Sequence, residues 1–352
     1  MISAPAHLQA IRDLPHEVGN ILGRLGLVTD AVLMAQGTIN DVYLLGDPAR
    51  SAACVLRLRS RAHVFQYEQG LVKEPIVAAL LVAHEREGRI LGASDFRVDD
   101  RLMPSDGPMA CSLWGDIFAY ECAPHTAMPW LLMGHVEGEH LTRRPDASAY
   151  HLLGEALARL HRPVFDAVYA DFYADPAKAC DMRAHLHDLM VDGLRRWRCG
   201  AEGAHRPDIQ PALQDLITRP GFFDDSMPVL VHNDIQPTNV ILERDGPARL
   251  IDWDNAVIGC AERDFAKLRA WTRLDAQGWL CADADLFQAC LDGYLAAGGR
   301  PLNSDRLDFH SLIWLSRIIP FEQTRPRPAD ARPFPHAQAY EGLLNVYCGR
   351  HG

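Results

Sequence analysis

Between residues 8 and 27 the apolar positions Val18, Ile21, Leu22 and Leu25 recur at helical spacing, and Gly26 supplies a stop. From Val32 to Leu45 the pattern becomes strand, turn, strand, with Gln36-Gly37-Thr38-Ile39-Asn40 at the turn. Cys54-Val55-Leu56-Arg57-Leu58-Arg59 is a further strand, and its period of two puts Arg57 and Arg59 on one face. A helix over Glu74 to His84 follows, then a strand-like Arg89-Ile90-Leu91. Several short strands around one helix predict a small mixed lobe.

Asp95 to Pro129 is irregular and holds Pro104, Gly107, Pro108, Pro124 and Pro129, so about 95–128 reads as an inserted hairpin or loop. Trp130-Leu131-Leu132-Met133 is a short apolar run closed by Gly134, and the lobe boundary falls there. Residues 1–134 then make an N-terminal lobe and 135–352 a C-terminal one. In the second, Tyr150 to His161 carries a clear helical apolar stripe. Helical stretches also cover about Ala179 to Trp197, Ala261 to Trp271, Ala284 to Ala297 and Leu307 to Ile319. Proline and arginine crowd Thr324 to Pro335, which predicts a surface crossing before a final short helix. No internal repeat is visible. The predicted class is α+β, a small β-rich N-lobe followed by a larger, mostly helical C-lobe.

Composition changes this picture little. A chain of 352 residues exceeds one compact core, and 48% hydrophobic with 23% charged content is ordinary for a soluble globular protein. No window approaches the roughly 18–20 apolar residues of a membrane helix, and the start lacks the pattern of a signal peptide. The nine cysteines are scattered with no C-x-x-C pair, which fits reduced thiols and a cytoplasmic location. The net charge of −11 argues against a nucleic-acid partner and suits a cationic small molecule.

Chemistry concentrates in one segment. Val229-Leu230-Val231 leads into His232-Asn233-Asp234-Ile235-Gln236-Pro237-Thr238-Asn239, and Val240-Ile241-Leu242 follows. A buried strand thus delivers a carboxylate and, five residues later, a carboxamide. A short hairpin then gives Arg249-Leu250-Ile251-Asp252-Trp253-Asp254, a strand ending in another carboxylate. Phosphoryl transfer requires such a set: one carboxylate to accept or orient the acceptor hydroxyl's proton, and oxygen ligands to hold Mg2+ against nucleotide phosphates. Asp234 suits the first role; Asn239 and Asp252 suit the second. Upstream, Gly37 removes a Cβ from a turn whose backbone could approach phosphates. Arg57 is placed to pair with the phosphates, and Glu74 to hold Arg57.

With these residues in order, the chain resembles the aminoglycoside phosphotransferase and choline kinase-like family. The resemblance rests on the G-T-I-N-D-V-Y turn at Gly37 to Tyr43, V-L-R-L at Val55 to Leu58, and Glu74 before Ile76-Val77. It rests further on P-W-L-L-M…E-G from Pro129 to Gly138 and on H-N-D-I-Q-P-T-N…I-D-W from His232 to Trp253. It implies a bilobal protein-kinase-like fold, Asp234 as catalytic base, and Asn239 and Asp252 as magnesium ligands. It also implies a nucleotide site including Gly37, Asn40, Arg57 and Glu74, with Leu132 and Met133 in a hinge that holds adenine or guanine by backbone hydrogen bonds. His232 would support the loop and Asp264 would brace it. The family's loop usually reads H-G-D-x-H-x-x-N, so Asn233 and Gln236 depart from it at the glycine and the second histidine.

The implied activity is transfer of the γ-phosphate of ATP or GTP to a hydroxyl of an aminoglycoside-like or other amino-bearing antibiotic, as in resistance or self-resistance. The alternatives are a kinase of choline, homoserine or a sugar, and a nucleotide-binding pseudokinase scaffold. Acceptor candidates are Asp254, Glu262, Trp271, Asp275, Trp314 and Glu322. The oligomeric state is not encoded in any motif.

Overall fold

The computed structural model describes residues 15–27, 31–36, 40–46, 53–59, 70–110, 113–122, 128–170, 172, 178–200, 208–244, 246–273, 285–324 and 336–351. Two compact units emerge. The first comprises Met1–Gly88, Ser94–Gly138 and Ile251–Asn255; the second comprises Arg89–Ala93, Glu139–Leu250 and Ala256–Gly352. A single cut at residue 134 therefore does not describe the chain, because Ile251–Asn255 packs with the first unit.

The first unit is built on helices α1 (His16–Arg24) and α2 (Gly70–Glu87) and on strands β1 (Ala31–Gln36), β2 (Asn40–Leu45), β3 (Cys54–Arg59), β4 (Arg101–Leu102), β5 (Ile117–Glu121) and β6 (Trp130–Gly134). The strands form one antiparallel sheet in the order β1-β2-β3-β6-β5-β4. Val18, Ile21 and Leu22 of α1 pack on Tyr43, Leu45, Leu56, Leu58, Ala119, Trp130 and Leu132. Arg24 fixes that helix by an ion pair to Glu121 at 2.7 Å. The stretch expected to be an insertion supplies β4 and β5, and β5 is an interior strand. Its prolines obscured this: Pro104 and Pro108 lie between the two strands, while Ile117, Ala119 and Tyr120 are buried. Helix α2 begins four residues before Glu74, so Pro75 lies inside it. The missing proline N–H forfeits one backbone bond. The run from Lys73 to Ala78, buried throughout, holds the helix regardless.

The second unit contains β7 (Glu139–His140), α3 (Ala147–Leu160), α4 (Met182–Gly200), α5 (Ile209–Thr218), β8 (Val229–Val231), β9 (Val240–Leu242) and β10 (Ala248–Leu250). It continues with β11 (Val257–Gly259), α6 (Glu262–Trp271), α7 (Asp285–Ala296), α8 (Ser304–Thr324) and α9 (His336–His351). Strands β10, β9 and β7 make one small sheet, and β11 pairs with β8. Asp146 caps α3 by accepting from the Ala149 amide at 2.9 Å. Helices α3 and α7 touch through reciprocal glycines. A Cβ on Gly154 would strike the Cys290 carbonyl, and one on Gly293 would strike the His151 carbonyl.

Residues from α4, α5, α8 and α9 share one apolar core, including Leu186, Leu213, Phe309, Leu312, Leu344 and Tyr347. Helix α5 was not predicted from the sequence. Pro211 disguises it, although a proline is tolerated in a first turn, and Ile209, Ala212, Leu213 and Leu216 are buried at helical spacing. The final helix is sixteen residues rather than short. Of Arg89-Ile90-Leu91, Leu91 alone makes a bridge, to Phe165. Among the described residues no helix is long and apolar enough to cross a membrane.

Candidate active site

In the second unit the segment after β8 is held from behind by α6. Asp264, 1% exposed in the first turn of that helix, accepts from the backbone N–H of His232 at 2.9 Å and of Asn233 at 2.6 Å. His161 Nε2 lies 3.1 Å from the same carboxylate, and its Nδ1 lies 3.2 Å from the Tyr294 hydroxyl. His232 is fully buried at the strand exit.

Asn233 explains its own departure from the loop pattern. It has φ +63°, the left-handed region where glycine is usual and asparagine is the best-tolerated substitute. Its side-chain Oδ1 accepts from Arg263 Nε at 2.6 Å. Asn233 thus holds a conformation that glycine favours, and its side chain is tied down.

The Asp234 carboxylate follows, with a side chain 17% exposed. Its Oδ2 accepts from Asn239 Nδ2 at 3.1 Å, and the same nitrogen donates to the Asp234 carbonyl at 3.0 Å. Its Oδ1 is ion-paired with Lys267 Nζ from α6. Asn239 closes a short 3-10 turn, Pro237–Asn239, before β9. With its nitrogen committed to Asp234, its amide oxygen is the atom left for a further ligand.

The first unit carries the other carboxylates. Arg57 on β3 forms an ion pair with Glu74 on α2, and Glu74 has no solvent exposure. Arg57 also reaches Asp252 Oδ1 at 3.3 Å and Asp254 Oδ1 at 3.8 Å. The Trp253 amide donates to Glu74 at 3.5 Å, and the Trp253 ring is buried 4.6 Å from that of Trp114. Asp252 has φ +69° and a side chain 44% exposed, in contrast to its buried neighbours. Asn40 donates from Nδ2 to Asp254 Oδ2 at 2.9 Å. Burial pushes the Asp254 carboxyl up to about 6, against the opposing pull of Arg57.

Other sequence candidates fall elsewhere. Gly37 and Asp275 lie outside the described residues, as does the Glu322 side chain. Leu132 and Met133 are buried in β6, which has β3 on one edge and β5 on the other. Those ladders pair the backbone of the strand on both sides. Asp254 belongs to the first unit and its Asn40–Arg57 network, not to the helices expected to hold an acceptor. Glu262 is 3% exposed and committed to Arg306 at 3.0 Å and to the Asn303 amide at 2.9 Å. Trp314 packs on Tyr340 with ring centroids 5.0 Å apart, and Trp271 is half-buried at the end of α6. Glu262 lines a small cavity with His161, Tyr294 and Arg306, and Trp314 is partly buried.

Lys267 and Arg263 were not singled out from the sequence. The signal was available: they stand one helical turn apart and flank Asp264, so a helix that braces the loop through Asp264 also aims these two at it.

The donor chemistry fits a hard divalent cation. Magnesium takes oxygen ligands, commonly one or two carboxylates or amides with phosphate oxygens and water. The outward carboxylate of Asp252 and the amide oxygen of Asn239 are of that kind. Among the described residues no group of three or more His, Cys, Asp or Glu side chains could cage a metal alone.

The model of the phosphotransferase enzyme family, APH, matches residues 30–309. The chain belongs to that family. It is thus a phosphotransferase with an alcohol group as acceptor, on an α+β protein-kinase-like fold. Solved structures agree in fold. A thermostable mutant of aminoglycoside phosphotransferase APH(4)-Ia, in a ternary complex with AMP-PNP and hygromycin B, superposes with a TM-score of 0.60 at 14% identity, covering 96% of this chain and 99% of that one. Macrolide 2'-phosphotransferase MphH from Brachybacterium faecium gives 0.54 at 16% identity, with 94% and 98% covered. Spectinomycin phosphotransferase APH(9)-Ia, in complex with ADP and spectinomycin, gives 0.52 at 11% identity, with 96% and 98% covered. No curated protein matches the chain in sequence.

Proposed function

We propose that this phosphotransferase moves the γ-phosphate of ATP or GTP onto a hydroxyl of an amino-bearing antibiotic in the cytoplasm. The observation that carries the reading is the Asp234 carboxylate, mostly buried, held at both oxygens and mounted on a backbone that Asp264 anchors. A carboxylate so fixed orients an acceptor hydroxyl and takes its proton as the new O–P bond forms and the bond to the leaving nucleoside diphosphate breaks. General-base action of this kind contributes about 10²–10⁴-fold.

Arg57, held by Glu74, is assigned to the nucleotide phosphates, and its planar fork suits bidentate contact. Asn40 supports that region through Asp254. Asn239 and Asp252 are assigned as the protein ligands of Mg2+. When bound, the cation neutralises charge on the phosphates and orients them. The net charge of −11 favours a cationic acceptor, and the antibiotics named with the similar structures supply the class.

The test is phosphate transfer from ATP or GTP, with magnesium, to a panel of hygromycin B, spectinomycin, a macrolide, choline, homoserine and simple sugars. Turnover of an amino-bearing antibiotic is expected, and Asp234→Ala should abolish it while nucleotide still raises the melting temperature. Near-normal turnover by that variant would sink the base assignment. Preference for choline, homoserine or a sugar would replace the acceptor class, and absence of any transfer would favour a scaffold.

A further inference from the structure

Three consecutive contacts run from one helix to the candidate loop. Arg263 holds the Asn233 side chain, Asp264 holds the His232 and Asn233 amides, and Lys267 is ion-paired with Asp234. The first two fix backbone and conformation. The third reaches the carboxylate assigned to the chemistry. We propose that Lys267 is a positioning residue for phosphoryl transfer, locking the Asp234 carboxylate in the orientation that receives the acceptor hydroxyl. This inference rests on the reading of Asp234 given above.

Few groups set that orientation. A carboxylate torsion is broad and roughly two-fold, so backbone anchoring alone does not choose its angle. Asn239 restrains Oδ2, but its amide is shared with the Asp234 carbonyl and, in the proposed reaction, with a cation. Lys267 restrains Oδ1 with a charge-assisted bond and has no other assigned duty. With side chains 15% and 17% exposed, salt screens the pair poorly. A carboxylate has about four lone-pair sites, so two restraints leave room for the acceptor O–H. Loss of one restraint lets the carboxylate swing, and a misplacement of about 1 Å can cost ~100-fold.

A lysine that merely stabilised α6 would behave differently, and so would one that bound nucleotide phosphate. The experiment compares wild type, Lys267→Met, Lys267→Arg, Asp234→Asn and the Lys267→Met/Asp234→Asn double variant. Each is assayed for magnesium-dependent hydrolysis of ATP by water and for transfer to whichever panel acceptor the wild type uses. Melting temperature with and without ATP is followed in parallel.

Lys267→Met is expected to lower kcat about 10- to 100-fold, with both KM values changed less than about 3-fold. Lys267→Arg should recover most of the loss. In the Asp234→Asn background the lysine substitution should cost less than about 2-fold more, because residues acting through one group are non-additive. Wild-type kcat in Lys267→Met would overturn the proposal, as would an equal loss in the Asp234→Asn background or a loss confined to the KM for ATP. If Asp234→Asn itself keeps near-normal kcat, the base assignment fails first, and the two failures are told apart. Absence of hydrolysis and of transfer in wild type would overturn both.

Discussion

Two carboxylates in two units, Asp252 and Asp234, are presented by opposite strategies. Asp252 adopts the left-handed conformation itself, keeps a half-exposed side chain, and is touched by an arginine that a buried glutamate holds. Asp234 is mostly buried, and its neighbour Asn233 takes the left-handed turn for it. One is displayed by local backbone strain and a remote charge relay. The other is clamped by a single helix that reaches side chain, backbone and preceding residue together. An exposed, singly restrained oxygen suits a labile cation with water in its shell. A clamped one suits a hydroxyl that must arrive at a fixed angle. Left-handed non-glycine residues cost about 1–3 kcal/mol each and cluster where function over-determines the backbone. Among the described residues there are three, and two stand at or beside these carboxylates.

The largest effect is expected at Asp264. Asp264→Ala strands the His232 and Asn233 amides and the His161 ring, at roughly 1–3 kcal/mol for each buried group left unpaired. Chemical unfolding should show a loss of several kcal/mol, and transfer should be lost at temperatures where the variant is still folded. A variant that loses stability yet retains kcat would show that the loop does not need its clamp.

Asp252→Ala tests the other strategy. Its half-exposed side chain is ion-paired with Arg57, and alanine tolerates the left-handed backbone less well. The melting temperature without nucleotide should therefore fall by a few degrees, while magnesium-dependent nucleotide binding, measured by titration calorimetry, should be largely lost. Unchanged affinity would count against a ligand role.

Gly154→Ala is the control that touches neither carboxylate. The added methyl meets the Cys290 carbonyl across the α3–α7 contact, and overpacking of this kind costs about 1–3 kcal/mol. Stability should fall while kcat at low temperature stays near normal. A matching fall in kcat would mean that catalysis depends on the helical scaffold as a whole.

The smallest effect is on pH. His185 and His310 are buried in the second unit, and burial together with the nearby arginines Arg263 and Arg317 lowers both, His185 to about 3. Unfolded histidines titrate near 6.5, so above that pH both states are neutral and nothing is lost. Below it the unfolded chain takes up protons that the folded one refuses, and stability declines towards about pH 3, by up to ~1.4 kcal/mol per pH unit per histidine. Urea unfolding at pH 7.5, 6 and 5 should show the decline beginning below 6.5, with a shallower slope in His185→Gln. A flat profile over that range would contradict the buried, neutral assignment.

How much the residues alone disclosed follows from the kind of interaction involved. Periodicity announced α1, α3, α4, α6, α7 and α8, because each exposes one face and buries the other. It missed α5, where Pro211 masked a helical stripe, and it left the stretch that supplies β5 as an irregular hairpin or loop, because the prolines nearby outweighed five residues without a clean alternation. Leu132 and Met133 read as an apolar run available to a purine. Only the sheet order revealed that both edges of their strand are used.

Asp234, Asn239 and Asp252 could be singled out as candidates because they are close in sequence, spaced by local turns, and bracketed by apolar strands. Family membership and the α+β class follow from the same short-range order. What holds each carboxylate was decided by tertiary structure. Lys267 is 33 residues from Asp234, and Arg57 is 195 from Asp252. A charge paired across such distances leaves no period and no local spacing to read. The chain determined which groups are proposed to carry the chemistry, because that proposal needs particular atoms at particular local spacings; folding determined which other groups hold them, because that requires only that a suitable side chain arrive from somewhere.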